Sequence, residues 1–247
     1  MGICLGIPAQ VRLRKYLKII IKTSIKKNPM EQTINHKSPA YFIIPLTLIL
    51  SLGYSLLRYN ILGPVPWKDF PFLIVNKGIS LSSFILLSLN FSFGPLKNLG
   101  IKISKTLLNS RVALGISGFF LMIIHALMSL LLFKPTVYVK FFEADGTMTL
   151  TAGLSMLGGI LAFVLVWAYN MGLHTHLSEN KILKQFIVSR SFLLIAMLLG
   201  GAHLFFMGYN GWINPSGWHG GLPPVSLIAF LFFFVGYIIN LLGRRSN

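Results

Sequence analysis

Six runs of about twenty consecutive apolar residues leave this chain few choices of fold. They lie near residues 40–59, 71–94, 112–133, 149–171, 186–208 and 222–243. Each is long enough to cross about 30 Å of hydrocarbon as a helix rising 1.5 Å per residue. None holds a strand-like alternation long enough to suggest a barrel. The separators carry turn punctuation, as in Gly63-Pro64-Val65-Pro66, Gly94-Pro95, Lys134-Pro135 and Pro223-Pro224. Apolar residues make up 54% and charged residues 11% of the 247, too apolar for a water-facing globule and too apolar for disorder. The expected fold is therefore an all-α integral membrane protein, a six-transmembrane-helix bundle.

The charge confirms the solvent. Lys and Arg number 22 against 5 Asp and Glu, a balance that suggests nucleic acid only when the cations lie on a folded polar surface. Here they flank apolar runs. With a cytoplasmic amino terminus, 17 of the 22 fall on the inner side, and Arg58, Lys68, Lys77, Lys134 and Lys140 fall outside. The positive-inside rule then places both termini in the cytoplasm, in what reads as a bacterial inner membrane, with the lipid bilayer as partner and no nucleic acid. Residues 1–38 form a basic cytoplasmic or interfacial segment, 39–243 the membrane domain and 244–247 a short tail. The stretch 10–27 is too charged to span and lacks a signal-peptide cleavage site, and Met30 is an alternative start. Gly2 is followed by Gly6 where myristoylation wants Ser or Thr, so lipidation is not expected. The single Cys4 excludes an internal disulfide and a thiolate cluster.

Ionisable side chains deep in an apolar span are costly and point to function. Two qualify. His125 lies 14 residues beyond Arg111 on the third run, and His203 lies 13 beyond Arg190 on the fifth. Both runs go from inside to outside, so the two imidazoles stand at nearly one depth, roughly 20 Å from the inner boundary. Opposed across the bundle, they suit a six-coordinate haem iron, with room where Gly115, Gly118, Gly200 and Gly201 remove side chains. Hydrogen bonding of each histidine to a neighbouring helix is the bland alternative. Met128 and Met207 share helical faces with the histidines, and core filling is the commoner role of such methionines.

Leu114-Gly115, Phe119-Phe120 and His125, with the preceding Asn90-Phe91-Ser92-Phe93-Gly94-Pro95-Leu96, resemble the LGxxxFFxxxxH region of the ferric reductase-like transmembrane domain. The resemblance covers about residues 70–210 and is nearest the haem-binding membrane subunits of the periplasmic methionine sulfoxide reductase system. It implies a b-type haem (haem b) oxidoreductase subunit passing electrons across the membrane, with His125 and His203 at the ligand positions. Members often carry a second histidine thirteen residues earlier on a ligand helix. The corresponding residues here are Arg190 and Val112, so one haem is expected, nearer the outer face.

The inner half then needs a relay. His174 and His176, on the donor side, lie beside Tyr169 and Asn170, and a flavin or quinone there would find positive charge on Lys184 and Arg190, the latter a candidate cofactor-binding residue. There is no dinucleotide or phosphate-loop motif, so a separate electron donor, a protein or a quinone, is expected. On the acceptor side, the uncharged stretch Gly208–Gly221 offers Trp218 and His219 as a lid. The rival is a cofactor-free transporter or channel using His125 and His203 as a proton or metal-ion relay. It would be favoured by acidic residues in the spans and by an internal repeat, and neither is found.

Overall fold

In hydrocarbon a backbone has no water to bond, so each apolar run closes its own hydrogen bonds as a helix. The computed structural model describes residues 38–174 and 181–243, which belong to one unit. Six helices are long and apolar enough to span a membrane. They are α1 (Ala40–Leu56), α2 (Val75–Asn98), α3 (Arg111–Leu132), α4 (Leu150–His174), α5 (Arg190–Trp212) and α6 (Val225–Leu242). Short helices Lys105–Asn109 and Lys181–Ile187 lead into α3 and α5. Among the described residues the extended backbone amounts to one bridge, Phe142 to Met148.

The expected runs and the helices differ at ends where a specific partner overrides local chemistry. Pro95 was expected to end the second run, yet α2 continues to Asn98. A proline withholds the amide that its helix would give to the carbonyl four residues back, here Phe91 O. The Asn240 amide of α6 donates to that carbonyl at 3.3 Å, so the missing bond is replaced from outside the helix. The fifth run begins later than expected, because the Ser189 hydroxyl accepts from the Phe192 amide (3.2 Å) and caps α5 at Arg190. It also ends later. Residues 208–212, expected as lid, form the last turn of α5, with the Trp212 indole donating to Ser226 Oγ at 3.0 Å.

Small residues set the seams. Ser83 Oγ donates to Gly118 O (2.8 Å) between α2 and α3, and Ser82 Oγ donates to Thr47 O (3.3 Å) between α2 and α1. Without a hydrophobic drive between helices in lipid, such close approaches and interhelical hydrogen bonds hold the bundle. α2 packs on α1, α3 and α6, while α5 packs on α4 and α6. Leu81, Leu87 and Phe91 of α2, Leu193, Met197 and Leu204 of α5, and Ala229 and Phe233 of α6 form the main buried cluster. No comparable seam joins α3 to α5.

Two π-turns, Leu57–Ile61 and Phe70–Ile74, interrupt the helices on either side of the first connection. Single π-turns re-aim side chains and recur at functional sites. The first presents Arg58 and Tyr59, and the second immediately precedes Asn76 and Lys77.

Replacing Asn240 by Leu removes the donor that reaches Phe91 O from α6, at a carbonyl that Pro95 cannot serve. The expected cost is about 1–3 kcal/mol, read as a lower melting temperature of the detergent-purified protein, and an unchanged melting temperature would refute the replacement role.

Candidate functional site

His125 and His203 are each held through one ring nitrogen. The Ser155 carbonyl of α4 lies 2.8 Å from His203 Nδ1, and a carbonyl can only accept, so Nδ1 carries the proton. Ser155 Oγ lies 3.2 Å from the same nitrogen and donates to the His203 carbonyl at 3.0 Å. His125 is fixed by a closed polar triangle. Asn76 Nδ2 of α2 donates to Ser129 Oγ (3.0 Å), which leaves Asn76 Oδ1 to accept from His125 Nδ1 at 2.8 Å, with Ser129 Oγ 3.3 Å from that nitrogen. Asn76 is 2% exposed, so its amide and carbonyl must both be satisfied inside the protein, and both are.

In neutral rings the consequence is shared. Nε2 carries a lone pair in each, and no donor reaches either among the described residues. His125 and His203 stand on α3 and α5, which share no packed seam.

Imidazoles that ligate metals commonly donate the second ring N–H to a carbonyl or amide, which fixes tautomer and ring plane. Both histidines show that arrangement. Among the described residues no three His, Cys, Asp or Glu side chains gather as a metal site. A pair of nitrogens therefore suits a metal that brings its remaining ligands with it, as haem iron does.

The glycines sort differently from the sequence expectation. A Cβ at Gly115 would lie 2.8 Å from the Asn90 amide, one at Gly118 3.0 Å from Leu87, and one at Gly200 3.0 Å from Phe233. Those three are close-packing positions and leave no room for a macrocycle. Gly201 alone of the four faces open space within 4 Å. The glycines that seat His203 are on α4, where a Cβ at Gly159 would stand 2.7 Å from His203 Nδ1 and one at Gly158 3.2 Å from the His203 amide nitrogen.

Arg190 spends its guanidinium on the carboxyl end of α6. Nε donates to Asn240 O at 3.1 Å, and Nη2 donates to Asn240 O and to Leu241 O. This caps orphan carbonyls and suits the helix dipole. His174 is the last residue of α4, and His176 lies outside the described residues.

On the other side of the bundle, the Trp218 indole donates to Gly211 O at 2.8 Å, which folds the connection back on α5. Gly220 (φ 59°) and Gly221 (φ 71°) carry the left-handed turn that follows, and the His219 ring meets the Tyr59 ring edge-on at 6.5 Å. Tyr59 is also the surface on which Arg58 (4.6 Å to the ring centre) and Lys77 (4.8 Å) rest. Lys77 directly follows Asn76, whose Oδ1 accepts from His125 Nδ1. His219 is thus linked through Tyr59 and Lys77 to the stretch of α2 that holds His125. Nearby, Lys140 donates to Met207 O at 3.3 Å and rests on the Phe141 ring. Poor solvation, and secondly the charge of Lys77, push the Lys140 ammonium down to about 8.

Sequence reasoning reached His125 and His203 but not Asn76, Ser129, Ser155 or Gly159. Only Ser129 had a local signal, four residues after His125 on the same helical face. The chain matches no protein-family model and no curated protein.

Gly159→Ala drives a methyl into His203 Nδ1 and should lower the melting temperature by the cost of overpacking, about 1–3 kcal/mol. Gly201→Ala meets open space and should raise it by about 0.5–1 kcal/mol through helix propensity. Equal effects of the two would show that the α4–α5 approach does not set the site.

Proposed function

We propose that this protein is a multi-pass membrane haem b subunit of the ferric reductase-like class, carrying electrons from a cytoplasmic or membrane-soluble donor to an acceptor at the outer face. In this reading both termini are cytoplasmic and the membrane is a bacterial inner membrane. The observation that carries it is the matched pair of imidazoles, each pinned at Nδ1 and each with an unclaimed Nε2. When bound, haem supplies a one-electron ferric–ferrous couple. A bis-histidine set leaves no open coordination position, which suits electron transfer over oxygen activation.

The chain's own residues supply the rest. Asn76, with Ser129, and Ser155 orient the two rings and fix their tautomers, and the donated hydrogen bonds raise the basicity of each Nε2. Gly159 lets α4 approach closely enough for Ser155 to reach His203. The helices exclude water, which tunes a redox couple through low dielectric. Trp218, His219 and Tyr59 stand on the acceptor side. The donor is a separate protein or a quinone, and a flavin or quinone at the inner face would lie near His174 and His176. The capping role of Arg190 leaves its Nη1 as the group still available to an anion there.

The test is a reduced-minus-oxidised spectrum of the detergent-purified protein, with haem and iron measured per chain. The expected result is one low-spin b-type haem, lost in His125→Ala and in His203→Ala while both variants still insert. His174→Ala and His176→Ala should leave haem content unchanged. Asn76→Leu and Ser155→Ala, the latter keeping the carbonyl, should rank by what they remove, with Asn76→Leu weakening retention more. A chain that takes up no haem under adequate supply sinks the proposal and returns the histidines to proton, metal-ion or packing roles.

A further inference from the structure

Arg58 is an unusual residue for an apolar span. It is 4% exposed, it follows directly on α1 in a π-turn, and its Nε donates to Leu222 O at 2.9 Å. Its two Nη groups have no partner among the described residues. Lys77 is half-buried and makes no hydrogen bond among them either, its ammonium resting between the rings of Tyr59 (4.8 Å) and Tyr138 (5.9 Å). The described acids are Asp69, Glu143 and Asp145, and none is paired with either cation. Two cations against one ring, without a carboxylate, are costly in a low-dielectric setting unless an anion completes them. A guanidinium whose Nε is engaged still presents its Nη edge, and that edge matches a carboxylate with two parallel hydrogen bonds.

We propose that Arg58 and Lys77, spaced by Tyr59 and walled by Tyr138 and His219, form a carboxylate-binding site beside His125. Its two cations take no part in the haem reading, and only the propionate source below rests on that reading. Its carboxylate has two possible sources, the propionates of a haem held by His125 and His203 or a soluble polycarboxylate arriving from the outer side. Lys77 directly follows Asn76, the residue that holds His125 Nδ1, which places the site on the His125 side of the bundle.

The experiment uses the full chain purified in detergent, both haem-free and loaded. Citrate is titrated by calorimetry at constant ionic strength, with chloride as control. The haem-free protein should bind citrate and not respond to chloride, and Lys77→Gln should weaken binding at least about tenfold, as expected for loss of a charge-assisted hydrogen bond. Arg58→Lys keeps the charge, loses the two-pronged edge and should also weaken binding. Melting temperatures check folding, and Lys77→Gln carries the test if the Arg58 variant does not fold.

Loading with haem or with its dimethyl ester separates the sources. If the site takes propionates, the ester is retained more weakly than haem, Lys77→Gln removes the difference, and citrate no longer binds the loaded protein. If it takes a soluble anion, haem and ester are retained alike and citrate binds both forms. The proposal is overturned if citrate is not bound, or is bound equally by the wild type and both variants, while haem and ester are retained alike. A chain that binds citrate through Lys77 but takes up no haem refutes the haem reading and leaves this site standing.

Discussion

The absence of water as a hydrogen-bonding partner governs nearly every polar contact in this molecule. A donor or acceptor inside the bundle must find its complement in another part of the chain. The helices answer this along their lengths, but prolines, helix ends and polar side chains each leave a remainder. Asn240 meets one such remainder at Phe91 O, opposite Pro95, and Ser83 meets the Gly118 carbonyl.

The same constraint explains what the cations do. With so few acids in the chain, three arginines near helix ends use Nε on backbone carbonyls of another element. Arg58 reaches Leu222 O, Arg111 reaches Asn90 O at 2.9 Å, and Arg190 reaches Asn240 O. Each ties its own helix end to a neighbouring segment, and Arg190 alone does so at the carboxyl end of another helix. Lysines with no such carbonyl turn to aromatic faces, as Lys77 does on Tyr59. Arg58 is the exception in being buried with two nitrogens left over, and it lies in a π-turn that departs from the regular helix.

The histidine pair fits the same account. Asn76 and Ser155 satisfy one nitrogen of each ring and leave the other, so the polar network stops one bond short at two places. Buried Ser51, Ser55 and Ser88 also carry hydroxyls without a hydrogen-bond partner among the described residues, so what distinguishes the histidines is that the unmet atom is a nitrogen able to ligate a metal. The absence of a packed seam between α3 and α5 follows from the order of the seams, since α3 is bound to α2 and α5 to α4 and α6.

Much of the architecture was legible in the residues alone, because a twenty-residue apolar run admits one structure in lipid and because histidines within apolar spans are rare enough to stand out. The number of spans and the start of α3, expected near 112 and found at Arg111, come from such local rules, whereas α5 starts four residues later than its apolar run because Ser189 caps it. The pinning of His125 by Asn76 joins residues 49 positions apart, and that of His203 by Ser155 joins residues 48 apart, so no spacing rule could reveal either. The glycines show the limit most clearly. Gly115, Gly118, Gly200 and Gly201 look alike in sequence, yet three are filled by a neighbouring helix and one is open. Composition decided that the chain would be a bundle in a membrane, whereas which polar atoms meet, and which two imidazole nitrogens are left over, was decided only when the helices packed, because hydrogen bonds between helices depend on their relative rotation and depth.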